Sequence, residues 1–492
     1  MASTSVKEIE AGRESLTHEK SWEFQDSSPV NSHDPFEVQA GGVHEPFHDG
    51  ADAKVKYRTM GWSHASFLMI AEIVSLGILS LPAGIATLGL VPGIVCQIVI
   101  GVLGSYSGYL IWQFRMAHPT IQSFADAGLI LGGPILQYLF FFPQYLNLVF
   151  IASAHILTFK TAMTTITSVP QCAIMWSVIA AVVCFLLSLF RTSKAQSKVS
   201  TLSTISITAA IIVVMIGVGL RPPKALVDAS GIPMDALHDF HHPSGFVQGW
   251  LAILNMVAAF CGHSAFIGFI SELEKPQDFP KALAIAQTTA ITYYCIVAGV
   301  IYAYAGQAVI SPAISSAPPR YRLIGYIVAM PTIIVAGVIN MHVASKQIYV
   351  WWWRGTNVVN QRNFRSYGSW VGLLIGGWLL AWILAEAIPN FHEFLAIISA
   401  LFNGWFMLVI PAWFWLFMNR GKWFKSGVNR VMFIVNIVVL LIGLAIFVVG
   451  LVTSGISLAH GDGGKPFSCA RQKQSTTEVV IESFLQSHGS RK

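Results

Sequence analysis

Two short clusters in this chain hold residue types that could do chemistry inside an apolar setting. The first is built around Glu72, which lies nine residues into an apolar run starting at Ser63. At 1.5 Å per helical residue that is about 14 Å deep, near the centre of a bilayer. An ionised carboxylate there costs a few kcal/mol or more, so such a group is suited to load and release a proton. Gly77, Pro82 and Gly84 follow and weaken helix continuity. The second cluster is Phe260-Cys-Gly-His-Ser-Ala-Phe-Ile-Gly, where Gly262, His263, Ser264 and Gly268 interrupt an apolar run. His263 could titrate near neutral pH, or could stay neutral and cap a broken-helix carbonyl. Where a helix is interrupted, freed N–H groups can hold a carboxylate and freed carbonyls an ammonium or a cation. The two clusters together would suit a zwitterion. Glycine and proline are also common in membrane helices, which is the plainer account of both.

The elements that must carry these clusters follow from the charge pattern. The chain has 492 residues, 54% hydrophobic and only 11% charged, against about 25% charged in a soluble domain. Asp, Glu, Lys and Arg are absent from 73–114, 127–159, 161–190, 199–220, 241–271, 282–319, 323–345, 366–385, 394–419 and 431–461. About 20 apolar residues carry one helix across the hydrocarbon core. The first stretch is long enough for two crossings, divided at Val91-Pro92-Gly93, so the expected count is about eleven transmembrane helices. Lipid offers the backbone no partners, so the runs must be helices, and the short alternating segments of a β-barrel are absent. The fold class is an all-α polytopic membrane protein.

Three regions are expected: an acidic, disordered tail at 1–57, a transmembrane domain at 58–453, and a second disordered tail at 454–492. The first 53 residues hold eleven Asp/Glu against three Lys/Arg, too polar to form a core and unlike a signal peptide. With the N-terminus in the cytoplasm, seventeen Lys and Arg of the segments between and beside the spans fall inside and five outside, and Lys465, Arg471 and Lys473 raise the outside number to eight. That asymmetry supports this orientation and puts the C-terminus on the extracellular side. The basic residues sit beside helix ends, so a nucleic-acid partner has no support. The partners are the lipid bilayer, a small solute and, for the N-terminal tail with Lys7 and Lys20, possible cytosolic regulators. Trp351, Trp352, Trp353 and Arg354 read as an interface anchor.

The breaks fall in the first and sixth spans. Five spans apart is an odd number, so the second copy is upside down, as in inverted-repeat transporters. Here the sequence resembles the amino acid/auxin permease family, and most closely the fungal neutral amino acid permeases. The residues that carry the resemblance are Glu72-Ile-Val-Ser-Leu-Gly-Ile-Leu-Ser-Leu-Pro and Phe260-Cys-Gly-His-Ser-Ala-Phe, with Glu274-Lys-Pro-Gln-Asp-Phe-Pro-Lys-Ala after it. The resemblance spans roughly 58–453. It implies a five-plus-five inverted repeat of the leucine-transporter type, interrupted in helices one and six, plus one extra helix. It implies cation-coupled uptake of amino acids, with substrate at Val74, Ser75, Leu76 and Gly77, facing Phe260, Cys261, Gly262 and His263. Many sodium-coupled relatives carry an Asn near the start of the first motif. Glu72-Ile-Val-Ser stands there instead, which favours proton coupling through Glu72.

Tyr145 and Asn147, and Asn340 with His342, are polar groups in apolar helices, which tend to face the bundle interior. Tyr145 and Asn340 are candidates for substrate contact. Lys198 could reach inward in place of a cation, or snorkel to the surface. Glu272, Glu274, Lys275, Asp278 and Lys281 form a mixed-charge loop that could pair as a gate or stay solvated. None of the six cysteines forms a metal-type pair. Cys172 and Cys469 both fall on the outer side, where a disulfide would tie down the tail.

The expected function is a secondary active transporter at the plasma membrane: a proton-coupled symport permease bringing neutral aliphatic or aromatic amino acids into the cell. No catalytic residues, no metal and no cofactor beyond the coupling ion are expected. Two alternatives stay open: a nutrient-sensing receptor on a transporter fold, and a sodium-coupled or vacuolar amino acid transporter. A membrane-embedded enzyme is disfavoured. His241, His242 and His263 are not joined by a second carboxylate or metal cluster at motif spacing.

Overall fold

The computed structural model describes residues 60–167, 172–189, 196–220, 245–353, 363–460 and 466–469. The expected tail 1–57, most of 454–492, and His241 and His242 lie outside the described residues, as does the Lys198 side chain.

The described residues form helices and short connections, with no strand; Met60 and Leu273 make one isolated parallel bridge. The first span is two helices, α1 (Trp62–Ile73) and α2 (Leu81–Leu88), joined by a 3₁₀ turn at Leu76–Leu79. Next come α3 (Leu90–Ala117), α4 (Phe124–Thr167), α5 (Ala173–Ser188) and α6 (Gln196–Leu220). The sixth span is again two pieces, α7 (Phe246–Phe260) and α8 (Phe266–Glu272). Then follow α9 (Phe279–Ala305), α10 (Pro319–Trp352) and α11 (Phe364–Ala387). The tenth span is α12 (Phe391–Ile398), two π-helical turns and α13 (Ile410–Met418); α14 (Gly427–His460) is last.

Among the described residues nine helices are long and apolar enough to cross a membrane, and ten if α1 and α2 count as one bent span. The sequence-based count of eleven includes α5, whose 16 residues cover about 24 Å against a core of about 30 Å.

Several punctuation residues act elsewhere than the sequence suggests. The chain turns at Gly89, whose φ is +88°, not at Val91-Pro92-Gly93. Those residues fall in the first turn of α3, where proline's missing N–H costs nothing. Pro82 likewise opens α2 rather than breaking it. Gly268 lies inside α8. The kink of α4 is at Gly132 and Gly133, inside the charge-free run 127–159.

The core is apolar, and unlike a soluble protein the exterior is apolar as well. Val431, Ile434, Val438, Leu441, Val448 and Val452 form an exposed stripe along α14, at the spacing of one helical face. Polar side chains such as Gln97, Asn147, His155, Asn255 and Asn436 are buried in the bundle instead. Lipid rewards an apolar exterior, so polar groups must find partners inside. Lys160, which ends a charge-free run, pairs with Glu386, both carboxylate oxygens lying 2.9 Å from its Nζ. Cys172 and Cys469 form a disulfide, with their Cα atoms 4.5 Å apart. The Phe467 N–H donates to the Glu386 carbonyl at 3.3 Å, so residues 466–469 are fastened near the start of α5 and the end of α11.

Candidate functional site

The site is built where the two broken spans meet. In α1 the last helical bond is from the Val74 N–H to the Ile70 carbonyl, at 2.7 Å. Val74 then leaves helical geometry (ψ 79°) and Ser75 is far from it (φ −128°, ψ −140°). The helix resumes at an angle of 43°. In the sixth span Cys261 (φ −88°, ψ 95°) and Gly262 interrupt the helix, and a 3₁₀ turn at His263–Ala265 leads into α8.

The breaks hold each other through their glycines. A Cβ on Gly77 would lie 2.6 Å from the Cα of Ala259, inside the last turn of α7. A Cβ on Gly262 would lie 3.1 Å from Cγ1 of Ile73, the last residue of α1. Each glycine thus packs on the helix end that precedes the other break. The last carbonyls of a helix lack intrahelical partners, and one side chain serves both ends here. The fully buried Tyr294 hydroxyl, from α9, lies 2.7 Å from the Ile73 carbonyl and 2.9 Å from the Ala259 carbonyl. Its proton is shared between two acceptors.

Beside this junction is a cavity of about 80 Å³. The first break contributes Glu72, Ser75, Leu76 and Gly77 to its wall; the second contributes Cys261. Asn340 of α10, His155 of α4, Ser200 and Ser203 of α6 and Asn403 of a π-helical turn complete its polar lining. The cavity therefore gathers six of the residues singled out in the sequence: Glu72, Ser75, Leu76, Gly77, Cys261 and Asn340.

The others lie elsewhere. Val74 is buried beside the break but does not line the cavity. Phe260 is buried with its ring edge-on to Tyr294, centroids 5.0 Å apart. Gly262 faces Ile73. Tyr145 is half-buried against the core. His263 is fully buried, with Nε2 2.8 Å from the Gly104 carbonyl. A carbonyl only accepts, so Nε2 is the donor, and the ring fastens the second break to α3. Of the two readings of His263, its geometry matches the neutral partner.

His155, Ser203, Asn403 and Tyr294 had not been singled out. His155 and Asn403 are polar groups in charge-free runs, the signal that pointed to Tyr145 and Asn340. Tyr294 also lies in a charge-free run, but it shares that run with Tyr293, Tyr302 and Tyr304, and nothing in the sequence sets it apart. The π-helical turns that carry Asn403 are frequent at functional sites in general.

One end of the bundle is fastened by backbone bonds. The Met60 N–H donates to the Glu272 carbonyl at 3.2 Å, and the Glu274 N–H donates to the Met60 carbonyl at 3.0 Å. The entry of α1 is thereby joined to the exit of α8. Gln144 donates to the Ser264 carbonyl at 3.0 Å, and the Trp112 indole to the Pro276 carbonyl at 2.9 Å. In the mixed-charge loop Lys281 pairs with Asp278 at 2.7 Å, with the lysine exposed. Among the described residues no group of three or more His, Cys, Asp or Glu could hold a metal ion.

An apolar exterior, polar side chains buried within an apolar core and a cavity between two broken helices define the class: a polytopic all-α membrane transporter. Residues 58–455 match the family model described as "Transmembrane amino acid transporter protein", and the chain belongs to that amino acid transporter family. It is similar to the "N amino acid transport system protein" of Neurospora crassa, 30% identical over 440 residues, covering 87% of this chain and 92% of that protein. It is also similar to a "Transmembrane transporter" of Fusarium pseudograminearum and to one of Gibberella moniliformis. Each is 25% identical over 409 residues, covering 83% of this chain and 85% of the relative.

Proposed function

We propose that this chain is a proton-coupled symporter that brings neutral amino acids into the cell across the plasma membrane, with its N-terminus in the cytoplasm and its C-terminus outside. The observation that carries this reading is that Glu72 and both helix breaks share one cavity. Backbone groups freed around Ser75 and Cys261 can hold the carboxylate and ammonium of an amino acid. A Cβ on Gly262 would lie 3.9 Å from Cγ of Glu72, so the carboxyl stands between the breaks. Burying a carboxylate without a cation favours its protonated form, and among the described residues no lysine or arginine forms an ion pair with it. Glu72 would therefore take its proton from the outer side and lose it when the cavity opens inward. Substrate charge then stays neutral, because among the described residues the pocket offers no second fixed charge to match a charged side chain. The Neurospora relative, named for amino acid transport, supports the substrate class. The reciprocal packing of Gly77 on Ala259 and Gly262 on Ile73 supports two inverted halves.

Uptake into proteoliposomes under an imposed pH gradient tests this. We expect accumulation of neutral amino acids with the gradient present and none without it. Glu72→Gln is expected to lose gradient-driven accumulation by at least tenfold while still exchanging internal for external amino acid. Accumulation that follows sodium and ignores pH would refute proton coupling.

A further inference from the structure

The polar lining of the cavity is asymmetric in its hydrogen bonding. His155 is 2% exposed, and its Nδ1 lies 2.9 Å from the Ile333 carbonyl. The carbonyl can only accept, so Nδ1 carries the hydrogen, and the neutral ring keeps a bare lone pair on Nε2. Among the described residues nothing donates to that nitrogen. Asn340 is 6% exposed, and its Nδ2 donates to the Ala336 carbonyl at 2.9 Å. That bond fixes which way the amide points and leaves Oδ1 as an acceptor without a described partner. His155 therefore spends its one donor, and Asn340 one of its two amide N–H groups, on the backbone of α10, and each keeps an acceptor.

The two are held together. A Cβ on Gly337 would lie 3.0 Å from Cβ of His155, so α10 approaches α4 closely between the Ile333 and Asn340 positions. Both side chains line the same cavity as Glu72, whose carboxylate also accepts when ionised. Ser75, Ser200 and Ser203 donate or accept equally well and set no preference. Asn403 has Nδ2 3.2 Å from the Ser399 hydroxyl; a hydroxyl fixes no amide orientation, so Asn403 is not used here. The rest of the wall includes Ile151, Ile339, Leu395 and Ile398, which offer nothing to bond.

We propose that His155 and Asn340 are specificity residues that select neutral amino acids bearing a side-chain hydrogen-bond donor, a hydroxyl or an amide, over apolar side chains of the same shape. This rests on the reading of the chain as an amino acid transporter and narrows the aliphatic or aromatic expectation. An apolar side chain would exclude water from both acceptors and return no bond, which costs more than an ordinary hydrogen bond contributes. A site built to bond a polar substrate rejects the isostere that lacks the group.

Isosteric pairs test this: threonine against valine, and asparagine against leucine, in competition and direct uptake with purified full-length protein in proteoliposomes. We expect threonine and asparagine to be preferred by about two- to tenfold per hydrogen bond. Asn340→Leu and His155→Phe should bring the preference to unity or invert it, read as the ratio of threonine to valine uptake. His155→Gln, which can donate to Ile333 and still present an acceptor, should keep part of it. A merely structural role would lower all four substrates together and leave the ratios unchanged. Equal or better uptake of valine and leucine by the unmutated protein overturns this inference and leaves the transport reading intact. Unchanged ratios in Asn340→Leu, checked for monodispersity, overturn it even if His155→Phe does not fold. Absence of uptake for every amino acid overturns the transport reading and this inference together.

Discussion

The break in the first span and the break in the sixth meet face to face, yet they are built from different contacts. The first bends the helix by 43° and sets its glycine against backbone, with Gly77 facing the Cα of Ala259. The sixth span runs on as one apolar stretch from Phe246 to Glu272, and its Gly262 faces a side chain, Ile73. The first span gives the cavity six lining residues, Ala71, Glu72, Ile73, Ser75, Leu76 and Gly77; the sixth gives Ala258 and Cys261. Around the second break side chains do the fastening: His263 to Gly104, and Gln144 to Ser264. The difference divides the labour. The first break presents backbone and carboxyl to the cavity, while the second is anchored to its neighbours and supplies the surface the first packs on.

Three glycine substitutions probe that division, and their effects should descend in order. Gly77→Ala should be the most damaging. Its Cβ would lie 2.6 Å from a backbone atom that cannot rotate away, so the breaks must separate. We expect a loss of about 1–3 kcal/mol or more in stability and loss of uptake, read by thermal denaturation and proteoliposome assay. Gly262→Ala meets Cγ1 of Ile73 at 3.1 Å, a contact that a small side-chain shift relieves. A several-fold reduction in uptake with little change in thermal stability is expected. If Gly262→Ala proves as severe as Gly77→Ala, the breaks are equivalent and the proposed division is wrong. Gly268→Ala should be nearly silent, within about 0.5 kcal/mol, because nothing lies within 4 Å of its Cβ position and alanine favours a helix. A large loss there, measured in the same two assays, would mean that α8 must unwind during transport.

The glycine clusters were legible because a glycine inside an apolar run stands out locally. Their individual roles were not. Gly77, Gly262 and Gly268 look alike in the sequence, and only the distance from each to its neighbour separates them. Glu72 and Asn340 could be picked out because a polar group in an apolar run must have a reason to be there. The same rule applied to His155 and Asn403, and it could not tell them from Tyr145 or Asn147. All of these are polar residues in charge-free helices; which face looks into the cavity depends on how the helices rotate and pack. His263 shows the same limit, since its two readings differ only in what lies opposite the ring.

The sequence by itself determined the solvent and the secondary structure of this protein. Apolar length and missing charge are local properties, and in lipid they leave the backbone little choice but helix. It also marked the two places where helices would part. The tertiary structure alone decided which polar groups share the cavity and which merely hold helices together. Those partnerships join distant residues: Tyr294 reaches Ile73 across 221 positions and His155 reaches Ile333 across 178. The disulfide between Cys172 and Cys469 spans 297. A hydrogen bond depends on a few tenths of an ångström between atoms, and at such separations that distance is set by the packing of whole helices, which no local pattern encodes.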